Sequence, residues 1–284
     1  MPLVTSRAML QAAREGGYAV GAFNAENMEM VQAIVAAAEE QHAPVIIQTT
    51  SSTLRYGSPA LFYGMAAAAA RAAGVPVALH LDHGDSLALA AEALREGYSS
   101  VMIDGSRLPL EENIAFTRPV VAFCEPNGVP VEGELGHVGG KEDDMESGGD
   151  GYTDPDEAER FVRETGVSSL AVGVGTAHGV YASAPVLNVP LIAVLRGRLP
   201  VPLVLHGASG LEDEAVRACI RSGISKVNFA TELRQAYTQA VRALLSEEPE
   251  AFDPKKYGKA ARAAVQALVM ERMRVCGCCG RADG

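Results

Sequence analysis

The chain has 284 residues, of which 48% are hydrophobic and only 5% aromatic, and its formal net charge is −11 at pH 7. This acidic balance argues against nucleic acid or an anionic membrane as a partner, because binding either needs a clustered basic face. It also means that any phosphate site has to be built locally, from backbone N–H groups and a few polar side chains.

Eight short runs of β-branched and apolar residues recur along the chain and predict strands. Most of them are continuously apolar rather than alternating, which is typical of parallel strands buried on both faces. The predicted strands are Tyr18–Phe23, Pro44–Thr49, Val75–Leu81, Ser99–Ile103, Val129–Leu135, Ser168–Val174, Pro202–His206 and Ile224–Phe229.

Segments with helical periodicity lie between most of these strands. Thr153 and Asp154 supply a cap before Pro155, and acidic residues at 212 and 213 suit the positive end of another helix. The predicted helices are Met28–Gln41, Pro59–Ala73, Leu87–Glu96, Leu110–Cys124, Pro155–Thr165, Asp213–Ser222 and Glu232–Ser246.

Strands and helices that alternate on a cycle of about thirty residues predict an α/β fold, the (β/α)8 TIM barrel. A doubly wound open sheet is the alternative, but its usual count of about five or six strands leaves two strands unexplained. We expect one domain over residues 1–284, with an extra C-terminal helix and tail over 254–284. The glycine-rich segment 139–151 lacks periodicity and is interpreted as an active-site loop.

The cysteines and the N-terminal sequence indicate the compartment. Five cysteines in a long chain predict free thiols rather than a disulfide framework. Three of them crowd into residues 276–279, which we interpret as a flexible reduced tail rather than a soft-metal or redox site. The first twenty residues do not resemble a signal peptide, and the longest apolar segment is interrupted by Arg71 and Pro76. We therefore expect a cytoplasmic location.

Histidines mark the strand ends at which barrel enzymes carry their chemistry. His83 ends the third predicted strand, His178 follows the sixth, and His206 ends the seventh. A lone buried histidine is more often a core residue, but three at corresponding strand ends favour a metal site. Catalytic zinc takes three protein ligands and keeps one open position, so these histidines predict a zinc site. His80, on the third strand, is interpreted as a core residue or as support for a ligand.

Carboxylates cluster on the same rim of the predicted barrel. Asp82 adjoins a proposed ligand, and Asp104 ends the fourth strand. Glu132 and Glu134 are two residues apart in the fifth strand, so both face the barrel interior if their apolar neighbours face outward. Carboxylates are rarely buried without a partner, which makes these residues functional candidates. The acidic run 142–144 reads equally well as functional or as a solvated loop.

Small and hydroxyl residues follow the last two predicted strands. Residues 207–210 (GASG) come after the seventh strand, and residues 227–231 (VNFAT) close the eighth. Small residues expose N–H groups, and a helix N-terminus adds positive potential, so this position predicts the phosphate pocket of the barrel.

These residues together resemble the class II, metal-dependent ketose-bisphosphate aldolases over essentially the whole chain. The motifs that carry the resemblance are HLDH (80–83), SVMIDGS (100–106), ELG (134–136), GGKEDD (139–144), YTDP (152–155), GTAHGVY (175–181), LHGASG (205–210) and KVNFATEL (226–233). Their shared order and spacing make a chance match untenable.

The resemblance implies roles for individual residues. His83, His178 and His206 match the zinc ligands, and Glu134 matches a carboxylate at the metal. Asp82 matches the proton donor. Glu142 matches a loop carboxylate that exchanges a proton on the three-carbon ketone. The segments that bind dihydroxyacetone phosphate are matched by Gly179, Gly207, Ala208, Ser209, Asn228, Phe229, Ala230 and Thr231. Other substrate-contacting positions are matched by Asn24, Thr50 and Ser51.

The same resemblance implies a substrate and partners. The expected reaction is reversible cleavage of a ketose 1,6-bisphosphate to dihydroxyacetone phosphate and glyceraldehyde 3-phosphate. The stretch at 175–185 and the Cys-Gly-Cys tail look closer to tagatose 1,6-bisphosphate enzymes than to fructose 1,6-bisphosphate enzymes. A sodium or potassium ion at the phosphate glycines, a homodimer or homotetramer, and a non-catalytic stabilising subunit are further features of such proteins.

Three other interpretations stay open on sequence alone. One is a different ketose-phosphate substrate, such as an inositol-catabolic one, within the same family. Another is a non-catalytic aldolase-like subunit, which the retention of all three histidines and Asp82 disfavours. The third is a two-metal barrel hydrolase, which would need a bridging carboxylate or lysine. The only lysine considered for that role, Lys226, lies within its predicted strand.

Overall fold

Eight parallel strands close into a barrel in the computed structural model, which describes residues 3–142, 145–147, 151–181, 183 and 185–282, without side chains at 141–147. The barrel strands are β1 Val20–Asn24, β2 Val45–Thr50, β3 Val77–Gly84, β4 Ser100–Ile103, β5 Val131–Leu135, β8 Ser169–Val172, β10 Leu203–Leu205 and β11 Ile224–Phe229. A separate small sheet contains β6 Gly139–Glu142, β7 Met145–Ser147 and β9 Ala177–His178. Around the barrel the order is β1, β2, β3, β4, β5, β8, β10 and β11, which pairs again with β1. The TIM-barrel prediction is therefore confirmed.

Helices cover the outside of this barrel. They are α1 Ser6–Gly16, α2 Met28–Gln41, α3 Ser51–Gly57, α4 Pro59–Ala72, α5 Leu87–Glu96, α6 Leu110–Cys124, α7 Pro155–Thr165, α8 Val189–Arg198, α9 Asp213–Ser222, α10 Thr231–Glu247 and α11 Pro254–Cys276, with a short 3₁₀ turn at Glu125–Asn127. The sequence analysis missed α1, α3 and α8. Helix α8 has apolar residues on nearly every side, so it shows little helical period. Within the described residues, no helix is long and apolar enough to cross a membrane.

The segment predicted as an irregular loop at 139–151 contains regular structure. Strands β6 and β7 form an antiparallel hairpin, and β6 also pairs in parallel with β9. Gly140 has φ = 89°, and a Cβ there would lie 2.2 Å from the carbonyl oxygen of His178, so this contact requires glycine. The hairpin is thus joined at its base to the strand that carries His178.

The C-terminal tail packs against the barrel, so its interpretation as a flexible segment is wrong. Cys278 is fully buried, and the backbone N–H of Gly280 donates to the carbonyl of Gln41. Helix α11 packs on α2 and α10 before the tail begins. The thiols are free, as expected, and burial raises the pKa of Cys278 to about 12. The tail therefore acts as a core element.

Candidate metal and phosphate site

Three histidines from separate strands meet at the C-terminal end of the barrel. His83 belongs to β3, His178 to β9, and His206 follows β10 directly. One ring nitrogen of each lies within 4.8 Å of the others, and His83 Nε2 is 3.0 Å from His206 Nδ1. The His83 and His206 rings are nearly perpendicular, with centroids 4.7 Å apart. The predicted histidine set is therefore brought together.

This donor set fits zinc. Tetrahedral zinc with nitrogen ligands at about 2.0–2.1 Å places those nitrogens about 3.3 Å apart. The observed separation of 3.0 Å between His83 and His206 needs little adjustment. His178 is only half-buried and lines the adjoining pocket, so the open side of the histidine set faces that pocket.

The backbone at His83 explains how two neighbouring residues reach one site. In a regular strand, Asp82 and His83 would point to opposite faces. His83 has φ = 46°, and the register between β3 and β4 shifts between Leu81 and Gly84. This irregularity turns the imidazole towards the site while Asp82 also faces inward. The hydroxyl of Ser51 donates to the His83 carbonyl at 2.9 Å and supports the turn.

His83 and His206 each form a hydrogen bond with a carboxylate through one ring nitrogen. His83 Nδ1 lies 2.8 Å from Asp104 Oδ2, and His206 Nε2 lies 2.9 Å from Glu132 Oε1. Such contacts fix the ring orientation and the tautomer, and leave the other nitrogen available to a metal. Burial raises the pKa of Asp104, but its hydrogen bond with His83 outweighs this and holds the pKa well below its usual value.

Glu132 is itself paired with a buried lysine. Lys226 Nζ donates to Glu132 Oε2 at 2.8 Å, and both side chains are at most 2% exposed. Burial raises the pKa of Glu132, but the Lys226 ammonium and the hydrogen bond from His206 hold it well below normal. Lys226 therefore serves as the counter-ion of a buried carboxylate, which disfavours it as a lysine that bridges two metals.

Two further predicted residues lie just beneath the histidine set. Glu134 faces the interior as expected, and its Oε2 is 3.7 Å from His206 Nδ1 and 3.9 Å from His83 Nδ1. It forms a second potential donor group with His83 and Asp104 rather than joining the three-histidine group. His80 is buried and bonds the Ser100 hydroxyl at 2.7 Å, and burial together with Lys226 lowers its pKa well below normal. His80 is thus a neutral support residue.

Asp82 sits at the centre of an amide network. Asn24 and Gln48 donate to its Oδ2 at 3.0 and 3.2 Å, and Asn228 donates to its Oδ1 at 3.2 Å. The carboxylate is fully buried beside His83. Asn24 also accepts from Gln48 at 2.7 Å, so it helps to orient Asp82, and its contact with substrate stays a prediction.

A narrow cleft of about 20 Å³ opens beside His178. Its lining comprises His178, Gly179, Gly207, Ser209, Asn228, Ala230, Thr231 and Arg234. Gly207 has φ = 66°, and a Cβ there would lie 2.6 Å from the Ala177 carbonyl, so only glycine allows β9 to approach this turn. Helix α10 begins at Thr231 without a side-chain cap and presents its positive end at the cleft.

Asn228 contributes an unused acceptor to this cleft. It is 7% exposed, and within the described residues its Oδ1 has no hydrogen-bond partner. A buried carbonyl of this kind costs free energy unless a ligand or water donates to it. The cleft is therefore suited to an anionic ligand that also carries a hydroxyl group.

Several residues predicted to contact substrate do not line the cleft. Ala208 is buried, and Phe229 is fully buried and stacks on Phe23 with centroids 5.5 Å apart. The Thr50 hydroxyl accepts from the Thr53 N–H and caps α3, and the Ser51 hydroxyl donates to the His83 carbonyl. All four side chains are buried in the protein, and their contact with substrate stays a prediction. The side chain of Glu142, and residues 143–144, lie outside the described part of the structure.

Sequence reasoning left Gln48 and Arg234 unmentioned and set Lys226 aside. A signal existed for two of them: Gln48 interrupts an apolar strand, and Lys226 shares the inward face of its strand with Asn228. Arg234 carried no such signal, because an arginine in a helix is ordinarily solvent-exposed.

Comparisons with known proteins point to one family and one fold. The model of the family described as "Fructose-bisphosphate aldolase class-II" matches residues 4–281. The crystal structure of the YdjI aldolase from Escherichia coli K12 is similar with a TM-score of 0.89 at 38% identity, covering 99% of each chain. A Coccidioides immitis protein, provisionally described as a fructose-1,6-biphosphate aldolase, gives 0.88 at 31% identity over 97% of each chain. The fructose-bisphosphate aldolase of Campylobacter jejuni, at 22% identity, covers 98% of this chain and 96% of its own and shares the fold with a TM-score of 0.82.

Proposed function

Because the chain belongs to the class II fructose-bisphosphate aldolase family, a family of carbon–carbon lyases, we propose that it cleaves a ketose 1,6-bisphosphate reversibly. The products would be dihydroxyacetone phosphate and glyceraldehyde 3-phosphate. The observation that carries the proposal is the convergence of three histidine nitrogens within 4.8 Å beside the buried Asp82.

His83, His178 and His206 would hold the zinc ion. Zinc held by these residues would supply a Lewis acid for the C2 carbonyl oxygen, where negative charge develops as the bond breaks. Asp104 and Glu132 keep two of the imidazoles oriented for this purpose. Glu134, close to both rings, adds negative charge next to the metal.

Two carboxylates divide the proton transfers in this proposal. Asp82 takes the proton of the C4 hydroxyl as the C3–C4 bond breaks, so that C4 becomes the aldehyde carbon and the electron pair stays with C3. Glu142, on the hairpin joined to the His178 strand, then supplies a proton to C3. Two groups in different environments suit two duties, because each needs its own protonation state.

The ketose phosphate is assigned to the cleft at the start of α10. Gly179, Gly207, Ser209 and Thr231 line it, and the unpaired Oδ1 of Asn228 would accept a substrate hydroxyl. We favour tagatose 1,6-bisphosphate over its fructose epimer on the resemblance of residues 175–185 and 276–278. A monovalent cation at these glycines and a homodimer or homotetramer belong to the same proposal.

The test combines metal analysis with kinetics. Purified protein should hold about one zinc per chain, and a chelator should abolish cleavage that added zinc restores. Asp82→Asn should lower kcat about 10²- to 10⁴-fold while zinc stays bound. Cleavage that survives chelation, or a lysine trapped by borohydride, would contradict the metal mechanism. The ratio of kcat/KM for the two C4 epimers decides the substrate.

A further inference from the structure

Tyr181, the last residue of the GTAHGVY motif, bonds to both of the segments that bring His178 and His206 to the site. Its hydroxyl accepts from the Ala177 N–H at 2.7 Å and donates to the Gly207 carbonyl at 2.7 Å. Ala177 directly precedes His178 in the chain, and Gly207 directly follows His206. One side-chain oxygen therefore connects the neighbours of two predicted metal ligands.

This connection matters because the strand that carries His178 lies outside the barrel ladder. Strand β9 has only two residues, and it pairs with β6 in the small sheet. His83 belongs to the barrel strand β3, and His206 directly follows the barrel strand β10. The position of His178 relative to the other two histidines therefore depends on how β9 contacts the turn after β10.

The two backbones touch at this point, but their contact alone does not fix a geometry. A Cβ at Gly207 would lie 2.6 Å from the Ala177 carbonyl oxygen, so the segments are in close van der Waals contact. Such contact has little directional preference, whereas hydrogen bonds weaken steeply when their angles change. The hydroxyl bridge therefore supplies the directional part of the contact between β9 and the turn.

The tyrosine is itself held in place. Its ring is half-buried against the hydrophobic core, and a Cβ at Gly210 would lie 3.6 Å from its Cδ2, so the ring lies beside the turn at 207–210. Burial raises the pKa of Tyr181 above its ordinary value, although the hydrogen bond from the Ala177 backbone lowers it. The hydroxyl thus keeps the proton that it donates to the Gly207 carbonyl at neutral pH.

We propose that Tyr181 is a positioning residue of the metal site, whose hydroxyl fixes the separation of His178 and His206 so that all three imidazoles reach one ion. The inference rests on the proposed function for the identity of the metal. Asp104 and Glu132 orient the rings of the other two histidines, and Tyr181 orients the backbone that carries His178. The competing interpretation is that the hydroxyl only adds to the general stability of the fold.

Zinc affinity of the full-length protein, measured by competition with a chelator, separates these interpretations. Tyr181→Phe removes one oxygen and keeps the ring. It should weaken zinc binding about 10- to 100-fold, because a metal site loses affinity when the groups that orient its ligands are removed.

Tyr98→Phe is the matched control for loss of a buried tyrosine hydroxyl. Tyr98 is 1% exposed, and its hydroxyl bonds the Thr49 hydroxyl at 2.8 Å. This pair joins β2 to the residue before Ser99 and β4, and neither strand carries one of the three histidines. Tyr98→Phe should lower the stability to urea about as much as Tyr181→Phe does, and should leave zinc affinity within about twofold of wild type.

Cobalt(II) in place of zinc reports the ligand geometry directly. The visible absorption band of the bound cobalt should shift in Tyr181→Phe and stay unchanged in Tyr98→Phe. A general loss of stability would not move this band in the folded fraction, so the spectrum tests positioning separately from folding.

Three results would overturn the proposal: zinc affinity of Tyr181→Phe within about twofold of wild type, an equal loss of affinity in both variants, or an unchanged cobalt band. If Tyr181→Phe fails to fold, amide exchange in the metal-free wild-type protein decides instead. The Ala177 N–H should then be protected, and exchange as fast as in an unfolded chain overturns the proposal. A wild-type protein that binds zinc but cleaves neither epimer contradicts the proposed function alone, and the zinc comparison still decides the role of Tyr181.

Discussion

The buried ion pair between Lys226 and Glu132 makes a specific prediction about stability. Their side chains are 1% and 2% exposed, and Nζ lies 2.8 Å from Oε2. Lys226→Met would leave the Glu132 carboxylate buried with its charge uncompensated. Removing one partner of such a pair costs about 3–5 kcal/mol, a large part of the roughly 5–15 kcal/mol that holds a domain together.

Urea unfolding of the zinc-free protein measures this cost. The double variant Lys226→Met/Glu132→Gln removes both charges and keeps an oxygen for His206, so it should recover most of the stability lost in the single variant. Lys256→Met is the matched control, because its pair with Glu248 is about half exposed and should contribute less than about 1 kcal/mol. A Lys226→Met variant within about 1 kcal/mol of wild type, or a double variant no better than the single one, would refute the reasoning.

Glu132 should also affect metal affinity, and other sites give further tests. Glu132→Ala should weaken zinc binding about 10- to 100-fold in competition with a chelator. Gly207→Ala should cost about 1–3 kcal/mol in urea unfolding, given φ = 66° and the Ala177 contact. Burial raises the pKa of Glu232 from 4.5 to about 7, so the native state keeps this carboxyl protonated where the unfolded state ionises it. The free energy of unfolding should therefore be highest below pH about 4.5 and fall as the pH rises through about 7. Glu232→Gln should abolish that pH dependence and stabilise the protein at pH 8 by roughly 3 kcal/mol in urea unfolding. The buried thiol of Cys278 should resist alkylation in the native protein and react when it is denatured.

The strand ends could be predicted because they depend on local patterns. Apolar runs such as Leu203–Leu205 fit buried parallel strands, and caps such as Asp154 before Pro155 mark helix starts. Once a barrel is inferred, residues at the C-terminal ends of different strands must meet at one rim. That is why the three histidines could be placed together without coordinates.

The tail and the hairpin could not be predicted in the same way. Nothing local in residues 276–282 indicates burial, because the backbone of this segment bonds to Ala19, Gln41 and His42, which lie far away in the sequence. Short glycine-rich strands such as β6 have little periodicity, and their pairing depends on contact with β9. Long-range packing decided both.

By itself the sequence determined the fold class and brought His83, His178 and His206 to one end of the barrel, because strand periodicity and connectivity are encoded locally. The tertiary structure decided which partner each polar group has. The positive φ at His83 turns it to the same site as Asp82, although alternation predicts opposite faces. Lys226 and Glu132 are 94 residues apart in the chain and meet only across the barrel interior. Such pairings depend on barrel closure and on local irregularities, which residue spacing does not record.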